Sequence, residues 1–139
     1  MTIKEIQEEI IDEFDMFEDW MERYEHLIEL GKSLPIIDEK YKGEENIIKG
    51  CQSKVWLHSE LKGDKIQYTA DSDAILTKGL VALLLRVYTD QTPQDILAAN
   101  PDFIDEIGLK EHLSPTRANG LVSMLKQIKL YAIAQQANS

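Results

Sequence analysis

The only cysteine in the chain, Cys51, is the strongest candidate for a reactive group. It lies in a Gly-Cys-Gln-Ser stretch, residues 50–53, between Lys49 and Lys54. A lone cysteine is usually a small buried apolar residue, but this one lies outside any apolar run, where a turn is predicted to lead into a strand. The two lysines could stabilise a thiolate, and loops on a rigid scaffold often carry reactive groups. The pattern favours a nucleophilic thiol.

The other residues predict neither a metal site nor a cofactor. The three histidines, His26, His58 and His112, lack the spacing of metal ligands, and zinc sites built on paired cysteines need a second thiolate. An iron–sulfur scaffold likewise needs several thiolates. The sequence contains no phosphate-binding glycine loop and no Gly-x-Ser-x-Gly motif. A nucleophilic pair of Cys51 with His112 stays open, because distant residues can meet in a fold.

Two amphipathic helices are predicted to precede the thiol. Apolar residues recur at steps of three and four over residues 3–14 and again over residues 17–28. Gly31 is expected to end the second helix, since glycine is common just past a helix end. Pro35 then prevents the helix from continuing.

A small antiparallel sheet of about three strands is predicted around the thiol. After a loop over residues 32–46, Ile47-Ile48 can form a short strand. Apolar and polar residues alternate over residues 55–61 and 66–70, and Lys62-Gly63-Asp64 between them indicates a hairpin turn. Such a sheet hides one face, which helices must cover.

Helices are predicted again in the second half of the chain. Residues 74–88 leave little polar face, so this helix should lie centrally. Thr92-Pro93 and Ser114-Pro115 each combine a capping hydroxyl with a proline at the first helical position. The last helix carries one apolar stripe of Leu121, Met124, Leu125, Ile128 and Ala132. These elements predict an α+β fold, with residues 1–139 as a single domain.

The charge distribution restricts the partners. The net charge is −10; residues 1–30 hold eleven acidic and two basic residues, whereas residues 109–139 have a net charge of +3. An acidic chain repels a phosphate backbone, so a nucleic-acid partner is not expected. We interpret the acidic stretch as the solvent-exposed face of a helix. The alternative is that it forms a docking surface for a basic partner.

The compartment is inferred from the same sequence. No apolar run reaches the roughly 20 residues of a membrane span, and the start of the chain does not resemble a secretory signal. A single cysteine cannot form an internal disulfide, which fits a reducing compartment. We therefore expect a cytoplasmic protein that does not bind membranes.

Four stretches of the sequence resemble the SufE family, the sulfur-transfer partners of the cysteine desulfurase SufS. The thiol-bearing stretch is the most specific, and the matches follow the family's order over nearly the whole chain. The four stretches are residues 46–56, Asp71-Ser72-Asp73-Ala74 with Lys78-Gly79-Leu80, Thr92-Pro93-Gln94-Asp95-Ile96, and residues 112–117 with Gly120-Leu121.

The resemblance implies a fold and a function. The fold is a small antiparallel sheet backed by helices, shared with the IscU-type cluster scaffolds. The implied activity is that of a persulfide carrier in iron–sulfur cluster assembly: Cys51 accepts sulfur from the desulfurase, stimulates it, and passes the sulfur to the SufBCD scaffold complex. The desulfurase carries pyridoxal phosphate, whereas this protein needs no cofactor. Supporting roles fall on Gln52, Ser53, Asp73, His112 and Arg117.

Alternatives remain for the protein and for single residues. The chain could be a docking activator of the desulfurase in which Cys51 is structural, or a stand-alone thiol peroxidase. Asp73 could cap the helix that starts at Ala74, and Arg117 could hold the start of the last helix. If Cys51 carries persulfide, its loop should be partly shielded at rest, because small molecules readily reduce or oxidise an exposed persulfide.

Overall fold

A computed structural model describes residues 1–137 of the chain. The α+β class predicted from the sequence is confirmed, because a small antiparallel sheet is backed by helices. The elements in chain order are α1 (Ile3–Asp15), α2 (Trp20–Lys32), β1 (Val55–Lys62), β2 (Lys65–Ser72), α3 (Ile75–Tyr88), α4 (Pro93–Ala98), α5 (Phe103–Glu106), α6 (Leu109–His112) and α7 (Pro115–Ala137). Two 3-10 turns, Glu39–Tyr41 and Glu44–Asn46, precede β1.

The N-terminal helices α1 and α2 begin at side-chain caps. The hydroxyl of Thr2 accepts a hydrogen bond from the amide of Glu5, whose carboxylate accepts one from the Thr2 amide in return. Asp19 accepts from the amide of Glu22 at the start of α2. These caps satisfy amides that have no partner within the helix. α1 begins where its predicted pattern starts, whereas α2 begins at Trp20, three residues after the start of its predicted pattern.

α2 and α3 cross at two glycines. The prediction that α2 ends at Gly31 is wrong, because the helix continues to Lys32. A Cβ at Gly31 would lie 3.0 Å from the backbone nitrogen of Gly79, and a Cβ at Gly79 would collide with the carbonyl of Leu27. Gly31 therefore allows two helices to approach closely and does not terminate one of them.

The sheet is an antiparallel hairpin of β1 and β2. Its register runs from the pair Val55–Ser72 to the pair Lys62–Lys65. The inner face is buried and consists of Val55, Leu57, Ile66, Tyr68 and Ala70. Within residues 1–137 the sheet has two strands, since the expected third strand at Ile47-Ile48 is reduced to one bridge between Ile47 and Trp56. The flanking turns leave too few extended residues there for a strand.

α3 is the central helix, as predicted. Ten of its fourteen residues are buried, and it packs against α1, α2, β2 and α7. Among residues 1–137, no helix combines the length and the apolar character needed to cross a bilayer.

α4 and α7 begin at the two predicted Thr-Pro and Ser-Pro signals. Thr92 Oγ1 accepts from the amide of Asp95 at 3.1 Å, and Ser114 Oγ accepts from the amide of Arg117 at 3.3 Å. Four members of the predicted stripe of α7 are buried, namely Leu121, Met124, Ile128 and Ala132. The fifth member, Leu125, is half-buried. This buried face fixes α7 beside the hairpin, next to the segment that carries the cysteine.

Candidate active site

Cys51 lies in a short loop, residues 49–54, called here the thiol loop. Directly outside it, the amide of Ile48 donates to the carbonyl of Val55 at 2.8 Å. The next pair outward, Ile47 and Trp56, forms the isolated bridge. The two ends of the loop are therefore joined at the base, and the hairpin presents the thiol at a defined place.

α7 forms the wall behind the thiol loop. Gly50 has a φ of +94°, so the backbone there favours glycine, and a Cβ would also require Ser123 Oγ, 2.5 Å away, to move. Gly120 faces the cysteine, and a Cβ there would lie 3.5 Å from Cys51 Sγ. The thiol donates a weak hydrogen bond to the carbonyl of Gly120, with an S···O distance of 3.6 Å.

The resting thiol is shielded and protonated. Cys51 is half-buried, as predicted for a guarded loop. Burial raises the pKa of the Cys51 thiol above its ordinary value of 9.0. Lys49 and Lys54 are exposed, and neither offsets this rise. In this conformation the flanking lysines therefore do not stabilise a thiolate, contrary to the expectation from the sequence.

Asp73 clamps the end of the thiol loop. Its Oδ1 accepts from the amide of Lys54 at 3.0 Å, and its own amide donates to the Lys54 carbonyl at 3.3 Å. Ser72 Oγ donates to the same carbonyl at 2.8 Å. The alternative that Asp73 caps α3 is wrong, because Ala74 occupies the cap position and no side chain caps that helix.

Arg117 lies in the first turn of α7 and borders the thiol. Its backbone amide is bound by Ser114 Oγ, but within residues 1–137 its exposed guanidinium forms no hydrogen bond or ion pair. The side chain therefore does not hold the start of α7. An unpaired guanidinium beside a sulfur nucleophile can stabilise an anionic sulfur.

A small cavity of about 40 Å³ adjoins Cys51. The predicted site residues Gln52, Ser53 and Arg117 line it, and so does Thr77 of α3. A volume of this size holds only a few atoms, since one water needs roughly 10–15 Å³ by the same measure. The structure thus brings Gln52, Ser53 and Arg117 together with the thiol.

His112 lies apart from this cavity. Its ring stacks on Trp20, with centroids 3.9 Å apart, and its Nδ1 lies 3.1 Å from the carbonyl of Gly108. Its own carbonyl accepts a hydrogen bond from the Tyr24 hydroxyl. The structure therefore joins His112 to α2 and does not place it on the wall of the thiol cavity.

Comparison with known proteins assigns the chain to a family. The family described as SufE, Fe-S metabolism associated domain, matches residues 8–132. The chain belongs to the SufE family. The resemblance of the four sequence stretches is thereby confirmed, and membership connects the protein with iron–sulfur metabolism.

Similar SufE-like proteins occur in bacteria and in plants. An uncharacterised SufE-like protein of Rhizobium etli is 41% identical over 88% of this chain and 86% of its own length. One from Synechocystis is 41% identical over 91% of this chain and 80% of its own. SufE-like protein 1, chloroplastic/mitochondrial, of Arabidopsis thaliana is 39% identical over 91% of this chain but only 34% of its own length.

A solved structure shares the fold of this SufE-family chain. It is the solution structure of a hypothetical protein from Thermus thermophilus, with a TM-score of 0.79. The alignment covers 95% of this chain and 96% of the other, at 20% identity. Because the sequences differ so much, the likeness shows the fold alone.

The sequence analysis of this SufE-family site missed Thr77 and the role of the Gly120 carbonyl. In the sequence Gly120 stands out only as part of a matching stretch, although its carbonyl accepts the hydrogen bond of the thiol. Thr77 is 7% exposed on a helix that otherwise buries apolar residues. A threonine on a buried apolar face is the signal that could have pointed to it.

The structure also bears on metal binding by this SufE-family chain. Among residues 1–137, no three or more His, Cys, Asp or Glu side chains are grouped so that they could hold a metal ion. That the protein works without a metal or a cofactor stays a prediction from the sequence.

Proposed function

We propose that this SufE-family protein accepts sulfur on Cys51 from the persulfide of a SufS-like cysteine desulfurase and passes it to a SufBCD-type scaffold complex. The setting of the thiol supports the proposal. Cys51 is half-buried on a loop held by Asp73, and it lines the same cavity as Arg117, whose guanidinium has no hydrogen bond or ion pair within residues 1–137.

The transfer is a thiol exchange without net oxidation. The Cys51 sulfur attacks the outer sulfur of the donor persulfide, so that one S–S bond forms while another breaks. The donor cysteine leaves as a thiolate. Cys51 gives up one proton and the donor sulfur takes one, so the products are a Cys51 persulfide and a donor thiol.

The resting site must change before this exchange can occur. Burial and the hydrogen bond to the Gly120 carbonyl keep Cys51 protonated, whereas the reactive species is the thiolate. Outward movement of the thiol loop breaks that hydrogen bond and moves the sulfur into a more polar environment. The exposed guanidinium of Arg117 then stabilises the thiolate. Docking of the desulfurase favours the outward loop by binding it better than the inward one.

Gln52 and Ser53 are assigned supporting roles in this scheme. They follow the thiol directly and line the cavity, so they move with the sulfur. His112 is no part of the proposed chemistry, because its ring is stacked on Trp20.

The lone thiol and the net charge also bear on the cell compartment and on the kinds of partner that this protein binds. A lone thiol that must stay reduced fits the cytoplasm, and the net charge of −10 opposes binding to nucleic acid. The name of the Arabidopsis relative assigns that protein to chloroplasts and mitochondria, so organelles that assemble iron–sulfur clusters are the alternative location.

Stimulation of the desulfurase tests the proposal. The rate of alanine release from free cysteine is measured for a SufS-like desulfurase alone, with the wild-type protein, and with the Cys51→Ser variant. We expect stimulation by the wild type only, while circular dichroism shows that the variant keeps its fold. Full stimulation by Cys51→Ser would favour docking without sulfur transfer.

A further inference from the structure

Thr77 is a polar residue buried beside the thiol without a hydrogen-bond partner for its side chain. It is 7% exposed and lines the cavity together with Cys51 and Arg117. Within residues 1–137 its hydroxyl forms no hydrogen bond. The hydroxyl oxygen is not sealed in the core, because among the described residues only Tyr88 Oη is fully buried without a partner. An unpaired hydroxyl that is open to a cavity beside a reactive group can bind a small ligand there.

Thr77 lies in the first turn of α3, and its hydroxyl is not bonded to the helix backbone. A threonine inside a helix can donate to the carbonyl three or four residues earlier. For Thr77 these carbonyls belong to Ala74, which already accepts from the Lys78 amide at 2.8 Å, and to Asp73, which lies before the helix. The Thr77 hydroxyl bonds to neither carbonyl in this structure, so it stays open to the cavity that Thr77 lines.

The cavity fits a very small anionic group. Its volume of about 40 Å³ excludes a second side chain or a peptide but accommodates a single added atom on Cys51. Five lining residues carry hydrogen-bond donors on their side chains, and Thr77 is the buried one among them: Gln52, Ser53, Thr77, Thr116 and Arg117. Hydroxyl, amide and guanidinium donors favour negative charge. The outer sulfur of a persulfide anion has this size and charge.

We propose that the Thr77 hydroxyl donates a hydrogen bond to the outer sulfur of a Cys51 persulfide and so holds it in the cavity. This inference rests on the proposed carrier function and adds the group that protects the carried sulfur. The hydrogen bond lowers the nucleophilicity of the outer sulfur and favours the inward loop. Release then requires the loop to move outward.

The test loads the sulfur chemically, so that it does not depend on a desulfurase. Cys51 of the full-length protein is converted to its mixed disulfide with thionitrobenzoate. Hydrosulfide then displaces the aromatic thiolate, leaving a Cys51 persulfide. Thr77→Val removes the hydroxyl while keeping the shape, and Thr77→Ser restores a hydroxyl. Mass spectrometry follows alkylation of the persulfide, and of the plain thiol, by iodoacetamide.

We expect the Thr77→Val persulfide to be alkylated roughly tenfold faster than the wild type, since hydrogen bonds to charged groups are strong. Thr77→Ser should remain close to the wild type. The plain Cys51 thiol should react within about twofold in all three proteins, because the hydroxyl acts on the outer sulfur only. Equal persulfide rates in Thr77→Val and wild type, or equal acceleration of thiol and persulfide, would overturn the inference. Failure of the desulfurase to transfer sulfur would refute the carrier function without affecting this result.

Discussion

Two arginines in this protein occupy opposite environments. Arg86 of α3 is partly buried and bonds to Glu9 at 2.7 Å and to both carboxylate oxygens of Glu13. Glu13 also binds His26 at 2.9 Å. Arg117 of α7 is exposed and has no hydrogen bond or ion pair for its guanidinium within residues 1–137, although it borders the thiol cavity.

Arg86 therefore has a structural role, whereas Arg117 is able to bind an anion. The guanidinium of Arg86 is satisfied by carboxylates, so it joins α1 to α3 and cannot bind a further anion without losing those contacts. The guanidinium of Arg117 lacks such partners, so an incoming anion meets no competing carboxylate. The comparison predicts that changes at Arg86 reduce stability and that changes at Arg117 reduce sulfur transfer.

Arg86→Met should produce the largest effect on the fold. Removing the guanidinium leaves the carboxylates of Glu9 and Glu13 close together without the cation that joins them, so we expect a loss of about 2 kcal/mol in the free energy of unfolding. Urea denaturation measures it. The rate of sulfur transfer per folded molecule should be unchanged. A loss of transfer in this variant would contradict the purely structural role of Arg86.

Arg117→Ala should slow sulfur transfer roughly tenfold, the cost of one charge-assisted hydrogen bond to an anionic sulfur. Its free energy of unfolding should change by less than about 0.5 kcal/mol, because the side chain is exposed and unpaired. Lys126→Ala is the matched control, since it removes an exposed cation of α7 outside the cavity lining. Equal slowing in both variants would assign the effect to net charge alone.

The pH dependence of stability should report the Arg86 network. The hydrogen bond from Arg86 lowers the pKa of Glu13 below its ordinary value of 4.5. A carboxyl group whose pKa is lowered by folding stabilises the fold when the pH is above its ordinary pKa. This stabilisation is lost as the pH falls through the pKa of the folded state. The free energies of unfolding of Glu13→Gln and the wild type are compared from about pH 6 to about pH 3. We expect the wild type to be more stable by about 1 kcal/mol at about pH 6, and this difference should disappear toward low pH. A gap independent of pH would contradict this assignment.

Asp73→Ala should have the smallest effect, a rise of about two- to fivefold in alkylation of the Cys51 thiol. The change removes the carboxylate that accepts from the Lys54 amide, worth about 1 kcal/mol, and so loosens the thiol loop. The apparent pKa of Cys51 should also fall toward 9.0 as its burial decreases. Asp64→Ala, at the far end of the hairpin, is the control. Unchanged reactivity in Asp73→Ala would show that the loop is held by other contacts.

Much of the fold was predictable from local patterns. The caps at Thr92-Pro93 and Ser114-Pro115 start helices because they depend only on adjacent residues. Gly31 was misinterpreted because its role depends on Gly79, a residue 48 positions later in the chain. Local sequence cannot distinguish a glycine that ends a helix from one that permits a helix crossing.

The site was predictable only in part, for the same reason. The choice of Cys51 as the candidate nucleophile follows from its being the only thiol, but the residues that bury it come from α3 and α7. The flanking lysines were expected to favour a thiolate, yet both are exposed while the sulfur is half-buried. Asp73 lies next to a helix start, so its bond to the Lys54 amide, 19 residues away, was not evident.

Mass spectrometry of the Cys51 peptide tests the carrier function most directly. The protein is mixed with a SufS-like desulfurase and cysteine labelled with heavy sulfur, then alkylated and digested. We predict one or more labelled sulfur atoms on the peptide that contains Cys51, all removable by reductant and absent from Cys51→Ser. If the wild-type peptide carries no label while the desulfurase turns over, Cys51 does not accept sulfur and the proposed function is wrong.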